Sequence, residues 1–153
     1  MEKYFIHKEE NMKKIWKYLV IAAVVIFGLI QLVPFGRDHA NPAVVQEPQW
    51  DSPATRQMAK EHCFQCHSNE TEWPWYSNIA PASWLISFDV IEGRGAFNFS
   101  DWSKHPAELD ELVGEINSGG TPPIQYWVAH PNSRLSDAQK QTFITGLKAT
   151  VGK

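Results

Sequence analysis

The clearest pattern in the chain is one long apolar run near its start. From Ile15 to Val33 it reads IWKYLVIAAVVIFGLIQLV, and Leu19 to Ile30 carries no charged or strongly polar side chain. As a helix, the stretch is about long enough to cross a ~30 Å hydrocarbon core. Lys17 interrupts it near one end, where a long side chain can snorkel, and Trp16 and Tyr18 stand where an interfacial aromatic belt would lie. A buried core helix would show a polar stripe, and this run shows none. Lys13, Lys14 and Lys17 precede the run, and only Arg37 follows closely. The positive-inside rule then expects a cytoplasmic amino terminus and a body on the outer side. Asp38-His39-Ala40 and Asn41-Pro42-Ala43 lack a small first residue, which favours an uncleaved anchor over a signal peptide. The expectation is a cytoplasmic tail over 1–14 and a single transmembrane anchor over 15–35, with the bilayer as partner. The protein is then expected in the inner membrane, with the remainder periplasmic.

Beyond the run the pattern changes. Residues 36–52 are polar and Pro-containing and predict an extended linker. Residues 53–153 carry helical spacing and predict one compact domain. Ser52-Pro53 pairs a capping residue with proline at the first helical position, so a helix should run through TRQMAKEH to Cys63. A second is predicted over about Ala82–Glu92, ending near Gly93. A third, over about Pro106–Ile116, places Leu109, Leu112, Val113 and Ile116 on one face and stops at Gly119-Gly120. The last begins at Ser136, with Gln139 completing a capping box, and Phe143, Leu147 and Val151 recur every fourth residue. No segment shows strand alternation, so the fold class is all-α with long loops.

Composition and charge narrow the partners. Residues 1–36 hold five Lys and three Glu, while the rest holds nine Lys+Arg against fourteen Asp+Glu. An acidic body argues against nucleic acid, which needs a basic face. Seven Trp and eight Phe are many for 153 residues and suit either dense packing or the wall of a cofactor pocket. A domain of about 100 residues with few helices has a modest core, and a large apolar cofactor would supply the missing buried surface.

The two cysteines of the chain are Cys63 and Cys66, and His67 follows directly: C-F-Q-C-H. Two cysteines three apart at a helix end can each reach one vinyl group of a single porphyrin, and the adjacent His is carried to the iron. C-x-x-C alone also reads as a redox dithiol, half a zinc site or a plain disulfide. The dithiol would want a βαβ pattern and the zinc site a second ligand pair, and neither is present. The reading is one covalently bound haem c, with Cys63 and Cys66 as attachment points and His67 as axial ligand of the haem iron.

The chain also resembles the haem-binding domain proteins, short bacterial cytochromes with an amino-terminal anchor. The matching segments are WDSPATRQMA (Trp50–Ala59), CFQCHSNET (Cys63–Thr71), WPWYSNIAPASWL (Trp73–Leu85), Gly93-Arg94, NFSDW (Asn98–Trp102), PPIQY (Pro122–Tyr126) and HPNSRLSDAQ (His130–Gln139). The resemblance implies a cytochrome c-like domain around one haem. It departs from the family at one point. The family usually has Met-Pro-Pro after the third helix, where the Met sulfur binds iron, and here the triplet is Thr121-Pro122-Pro123. Met1 and Met12 precede the run, and Met58 lies on the helix that delivers His67. Several readings stay open. His130 ligates from the far side, or the site is open with Thr121 lining it, or His105 swings in, or a ligand comes from a partner protein.

Around the haem, Trp73, Trp75, Tyr76, Trp84 and Pro122 are candidate pocket residues, although the aromatic side chains suit core packing equally. Arg94 is the candidate partner for a haem propionate, since a guanidinium matches a carboxylate. Asn98 and Ser100 are expected to tie the following loop by side-chain to backbone bonds. No residue set suggests catalysis. The functional expectation is a membrane-anchored one-electron carrier serving redox partner proteins. The alternatives are a haem-based small-ligand binder or sensor, and a haem subunit of a larger respiratory complex.

Overall fold

The computed structural model describes residues 2–120 and 122–152 of the chain, with the side chains of 2–10, 124, 125, 129 and 132 outside the description. Its helices are α1 (Glu2–Ile30), α2 (Pro53–His62), α3 (Phe64–His67), α4 (Ala82–Ala96), α5 (Leu109–Ser118), α6 (Ile124–Ala129) and α7 (Asp137–Val151), with short 3-10 turns at Trp75–Asn78 and Pro131–Ser133. Among the described residues the only β pairing is an isolated bridge between Gln46 and Asp101. The all-α expectation holds.

The helix boundaries follow local chemistry. Ser52 caps α2 by accepting from the Thr55 amide at 3.2 Å. Ser136 and Gln139 form a reciprocal capping box on α7. Gly119 ends α5 at φ 71°, a left-handed value that suits glycine. Helix α4 runs on to Ala96, past the expected stop at Gly93, because Gly93 packs inside the helix rather than terminating it.

Helices α2, α5 and α7 enclose the core. Phe64, Phe99, Phe143 and Leu147 are fully buried there, with Leu112 and Ile116 from α5 beside them. Each such side chain contributes about 1.5–3 kcal/mol by leaving water. Aromatic rings extend the core outward. Phe99 stacks on Trp102 at 5.5 Å and on Phe64 at 5.5 Å, and meets Trp50 at 5.1 Å.

The polar segment before α2 is not a free linker. It forms a strap bonded to the domain along its length. The Gln31 side chain donates to the Ala80 carbonyl at 2.9 Å and accepts from the Ala80 amide at 3.0 Å. Gly36, at φ 77°, lies so close to Ser83 that a Cβ would strike the Ser83 backbone. Asn41 donates to the Thr71 carbonyl at 2.8 Å, and Asn69 donates to the Ala43 carbonyl at 2.9 Å. Val45 and Gln46 amides both donate to the Ser100 carbonyl. The compact unit therefore begins near residue 31 rather than 53.

The expected membrane anchor is corrected by the same observations. No helix among the described residues is long and apolar enough to cross a membrane. Helix α1 ends at Ile30, and residues 31–35, assigned to the anchor, turn onto the domain surface instead. The charge-free part, Tyr18–Ile30, is about 20 Å long at ~1.5 Å per residue, against a ~30 Å hydrocarbon core. Extending it backward takes in Lys17, Lys14 and Lys13. The expected single-pass placement in an inner membrane, with cytoplasmic tail and periplasmic body, falls with the anchor.

Candidate functional site

The C-F-Q-C-H segment sits where α2 breaks into the single turn of α3. Cys63 closes α2, its amide donating to the Ala59 carbonyl at 2.8 Å, and the Cys66 and His67 amides both donate back to the Cys63 carbonyl. The turn brings both thiols and the imidazole to one side. Phe64 points the other way and anchors the turn in the core at 2% exposure. Helix α4 presses against this turn at Gly93, where an added Cβ would lie 2.6 Å from the Cys66 carbonyl oxygen. Only glycine permits that approach.

His67 is oriented from behind. Its Nδ1 lies 3.4 Å from the Phe97 carbonyl oxygen, a contact that needs the proton on Nδ1 because a carbonyl only accepts. Its ring stacks on Phe97 at 3.9 Å and 7°. Nε2 is then left with its lone pair, the arrangement of a metal-binding imidazole held by an outer carbonyl. Burial pushes the imidazole below its ordinary pKa, which keeps it neutral, with the Phe97 and Gly93 carbonyls opposing. Burial also pushes the Cys63 and Cys66 thiols up to about 12, with Asp89 adding to the effect at Cys66. Such thiols stay protonated at neutral pH, which counts against a reactive dithiol.

Cys63, His67 and Ala96 line both lobes of a cavity. One lobe, of about 300 Å³, is walled further by His62, Cys66, Gly93, Pro122, Pro123 and Tyr126. The other, of about 210 Å³, is walled by Phe97, Phe99, Leu112, Ile116, Phe143 and Leu147. Carboxylates stand in both linings, Asp89 and Glu92 in the first and Glu111 and Glu115 in the second. Neither lining contains Lys or Arg among the described residues.

The loop after His67 is fastened by buried polar bonds. Asn98 donates to Asn69 Oδ1 at 2.8 Å and accepts from the Ser100 amide at 2.8 Å. Ser100 Oγ accepts from the Asn69 amide at 2.9 Å, and the Phe99 amide donates to the His67 carbonyl at 2.8 Å. Arg94 belongs to this framework. Nε donates to the Ser68 carbonyl at 2.7 Å, Nη1 to Ala40, and Nη2 to Asn41 and Thr71. Its guanidinium is thus bonded to backbone and side-chain oxygens, and Arg94 lines neither lobe.

The remaining candidates divide. Pro122 lines the larger lobe, and Thr121 lies outside the described residues. His130 is apart from both lobes. Its Nδ1 lies 3.1 Å from the Tyr126 carbonyl and its Nε2 3.4 Å from Tyr76 Oη. His105 is exposed. Trp73, Trp75, Tyr76 and Trp84 line neither lobe. Trp73 stacks on His39 at 4.6 Å under the strap, and Trp75 is 77% exposed. Phenylalanines 97, 99 and 143 form the aromatic wall instead. Sequence reasoning missed Tyr126 as a lining residue and set His62 aside as too constrained beside Cys63, yet both line the larger lobe. His62 bonds Ser133 O through Nδ1 at 3.0 Å and so ties α2 to the loop beyond α6. The only signal for either was its place within or beside a family segment.

A family model described as Haem-binding domain matches residues 25–149. The chain belongs to the haem-binding domain family. The match begins within α1 and includes the strap, in keeping with a unit that starts well before α2. No curated protein matches the chain, and no solved structure does. The residues present fit a haem. A neutral imidazole with a free Nε2 stands beside two protonated thiols, in a cavity whose inner wall is apolar. Haem supplies a one-electron iron couple when bound, and ligation and access set its potential.

Proposed function

We propose that the domain is a mono-haem c-type cytochrome that passes single electrons between redox partner proteins. Cys63 and Cys66 hold one haem through thioethers, and His67 supplies the axial nitrogen. In attachment each S–H adds across a vinyl group, sulfur bonding one carbon and the proton passing to the other, so no oxidant is consumed. The observation that carries the reading is the joint presence of Cys63, Cys66 and His67 in one lobe, with His67 Nδ1 held by the Phe97 carbonyl.

The test is to produce the full chain together with a c-type haem maturation system and denature it. Haem should stay with the polypeptide, and the Cys63→Ser/Cys66→Ser double variant should lose it. His67→Ala should keep the thioethers but lose the low-spin or five-coordinate histidine spectrum. Haem that leaves the wild-type chain on denaturation shows a non-covalent binder and sinks the c-type reading.

A second reading is a small-ligand binder. It is favoured because no Met lines either lobe among the described residues and both nitrogens of His130 are engaged elsewhere.

A further inference from the structure

The lobe of about 300 Å³ holds Pro122 and Pro123 on one wall and a tyrosine, Tyr126, directly beyond them. Helix α6 starts at that turn, the Tyr126 amide donating to the Pro123 carbonyl at 2.9 Å. The ring is fixed on its outer side. His130 stacks on it at 4.3 Å and 25°, and Tyr76 Oη lies 3.4 Å from His130 Nε2. A ring covered in this way has little freedom to leave the cavity wall.

The other polar side chains of the lobe are less suited to donate. Gln65 spans the Glu72 backbone, its Nε2 donating to the Glu72 carbonyl at 2.6 Å and its Oε1 accepting from the Glu72 amide at 3.2 Å. His62 Nδ1 is bonded to the Ser133 carbonyl, and its Nε2 lies 4.0 Å from Glu61 Oε2. Ionised Asp89 and Glu92 only accept. The phenol is a donor. Burial raises its pKa, with Cys66, Tyr76 and Glu72 adding to the effect, so the hydroxyl keeps its proton at neutral pH.

We propose that the sixth side of the iron is an exchangeable ligand site and that Tyr126 is its hydrogen-bond donor, held by the His130 stack. The inference rests on covalent haem at Cys63 and Cys66. His130 is a positioning residue in this arrangement. The ligand class is a small anion or diatomic that accepts a hydrogen bond through its free end.

The test uses haem-loaded full chain with fluoride as the probe of ferric iron and carbon monoxide as the probe of ferrous iron. Covalent haem is verified first on a denaturing gel, so failure of attachment is read separately from failure of this proposal. Fluoride should bind the wild type, and Tyr126→Phe should weaken it about tenfold or more, the range for loss of a hydrogen bond to a charged group. The C–O stretch of the carbon monoxide adduct should rise in Tyr126→Phe. His130→Ala should broaden that band, because the phenol is then free to take several positions. Tyr126→Phe keeps the ring and its stack, so folding is preserved. A wild-type spectrum that neither probe moves overturns the open site. Equal fluoride affinity and an unmoved C–O band in Tyr126→Phe overturn the role of Tyr126.

Discussion

The Cys63–His67 side of the cavity and the Pro122–His130 side are held by different means. On the first, buried side chains bond partners far along the chain. Asn98 reaches Asn69, Arg94 reaches Ser68 and Ala40, and Gly93 lets α4 sit against Cys66. On the second, two prolines set the backbone and ring faces set the side chains, as in the Tyr126–His130 stack at 4.3 Å. The first side fixes one nitrogen in place. The second shapes a space. A substitution on the first side should therefore cost stability and cofactor retention together, while one on the second should alter ligand behaviour with little cost in folding.

The largest test of that difference is Gly93→Ala. The new methyl would lie 2.6 Å from the Cys66 carbonyl oxygen and 2.9 Å from Cys66 Cβ, so α4 must move away. A loss of roughly 1–3 kcal/mol in denaturant unfolding is expected, with a lower yield of covalent haem. An unchanged midpoint would mean that α4 does not press on the Cys63–His67 turn. Next is Asn98→Ala, which strands the buried Ser100 amide and Asn69 Oδ1 and should cost about 1–3 kcal/mol by the same measurement.

On the other side, Pro123→Ala should cost only ~0.4–1 kcal/mol, mainly through added freedom of the unfolded chain. Its φ of -64° is one that alanine also adopts. Carbon monoxide rebinding after a laser flash should change more than the melting point does. If stability falls as far as in Asn98→Ala, the two sides are built alike and the contrast fails.

The smallest expected effect is electrostatic. Arg56 bonds both oxygens of Glu47 at 2.6 and 2.7 Å and holds the carboxyl below its ordinary value of 4.5. A depressed folded pKa contributes stability that is fully present above pH 4.5 and is lost as pH falls through the lowered value. Arg56 is more than a third exposed, so solvent screening limits the contribution to roughly 1 kcal/mol or less. Glu47→Gln should flatten the acid limb of the stability profile without moving the haem spectrum.

Much of this was legible where the deciding chemistry is local. Ser52-Pro53, Ser136 with Gln139, and Gly119 mark helix ends through groups within a few residues of one another, and those ends are where they were expected. The C-F-Q-C-H segment is equally local, a single turn at the end of α2. The strap was not legible, because a polar, Pro-containing segment reads the same whether it is free or bonded to residues dozens of positions away. The aromatic wall failed for a related reason. Trp73 and Phe97 are both large and apolar, and only the path of α4 decides that the phenylalanine faces the cavity. Arg94 matched a carboxylate in chemistry, and its bonds to Ser68, Ala40, Asn41 and Thr71 depend on residues too far along the chain for the sequence to reveal. The apolar run promised a spanning helix by its composition, while Gln31, one polar residue near its end, turned the chain onto the domain.

The strap also fixes how the protein can meet other molecules. A free segment spanning residues 36–52 would sweep its cargo through a sphere on the order of 20 Å in radius, at about 5–6 Å times the square root of its length. Fastened at Ala80, Thr71 and Ser100, it has no such reach. The cavity cannot swing on an arm formed by residues 36–52, because those residues are part of the body that carries it. A partner that meets the cavity therefore meets the strap and the helices as one surface, and the angle of approach is set by that surface rather than by a moving segment.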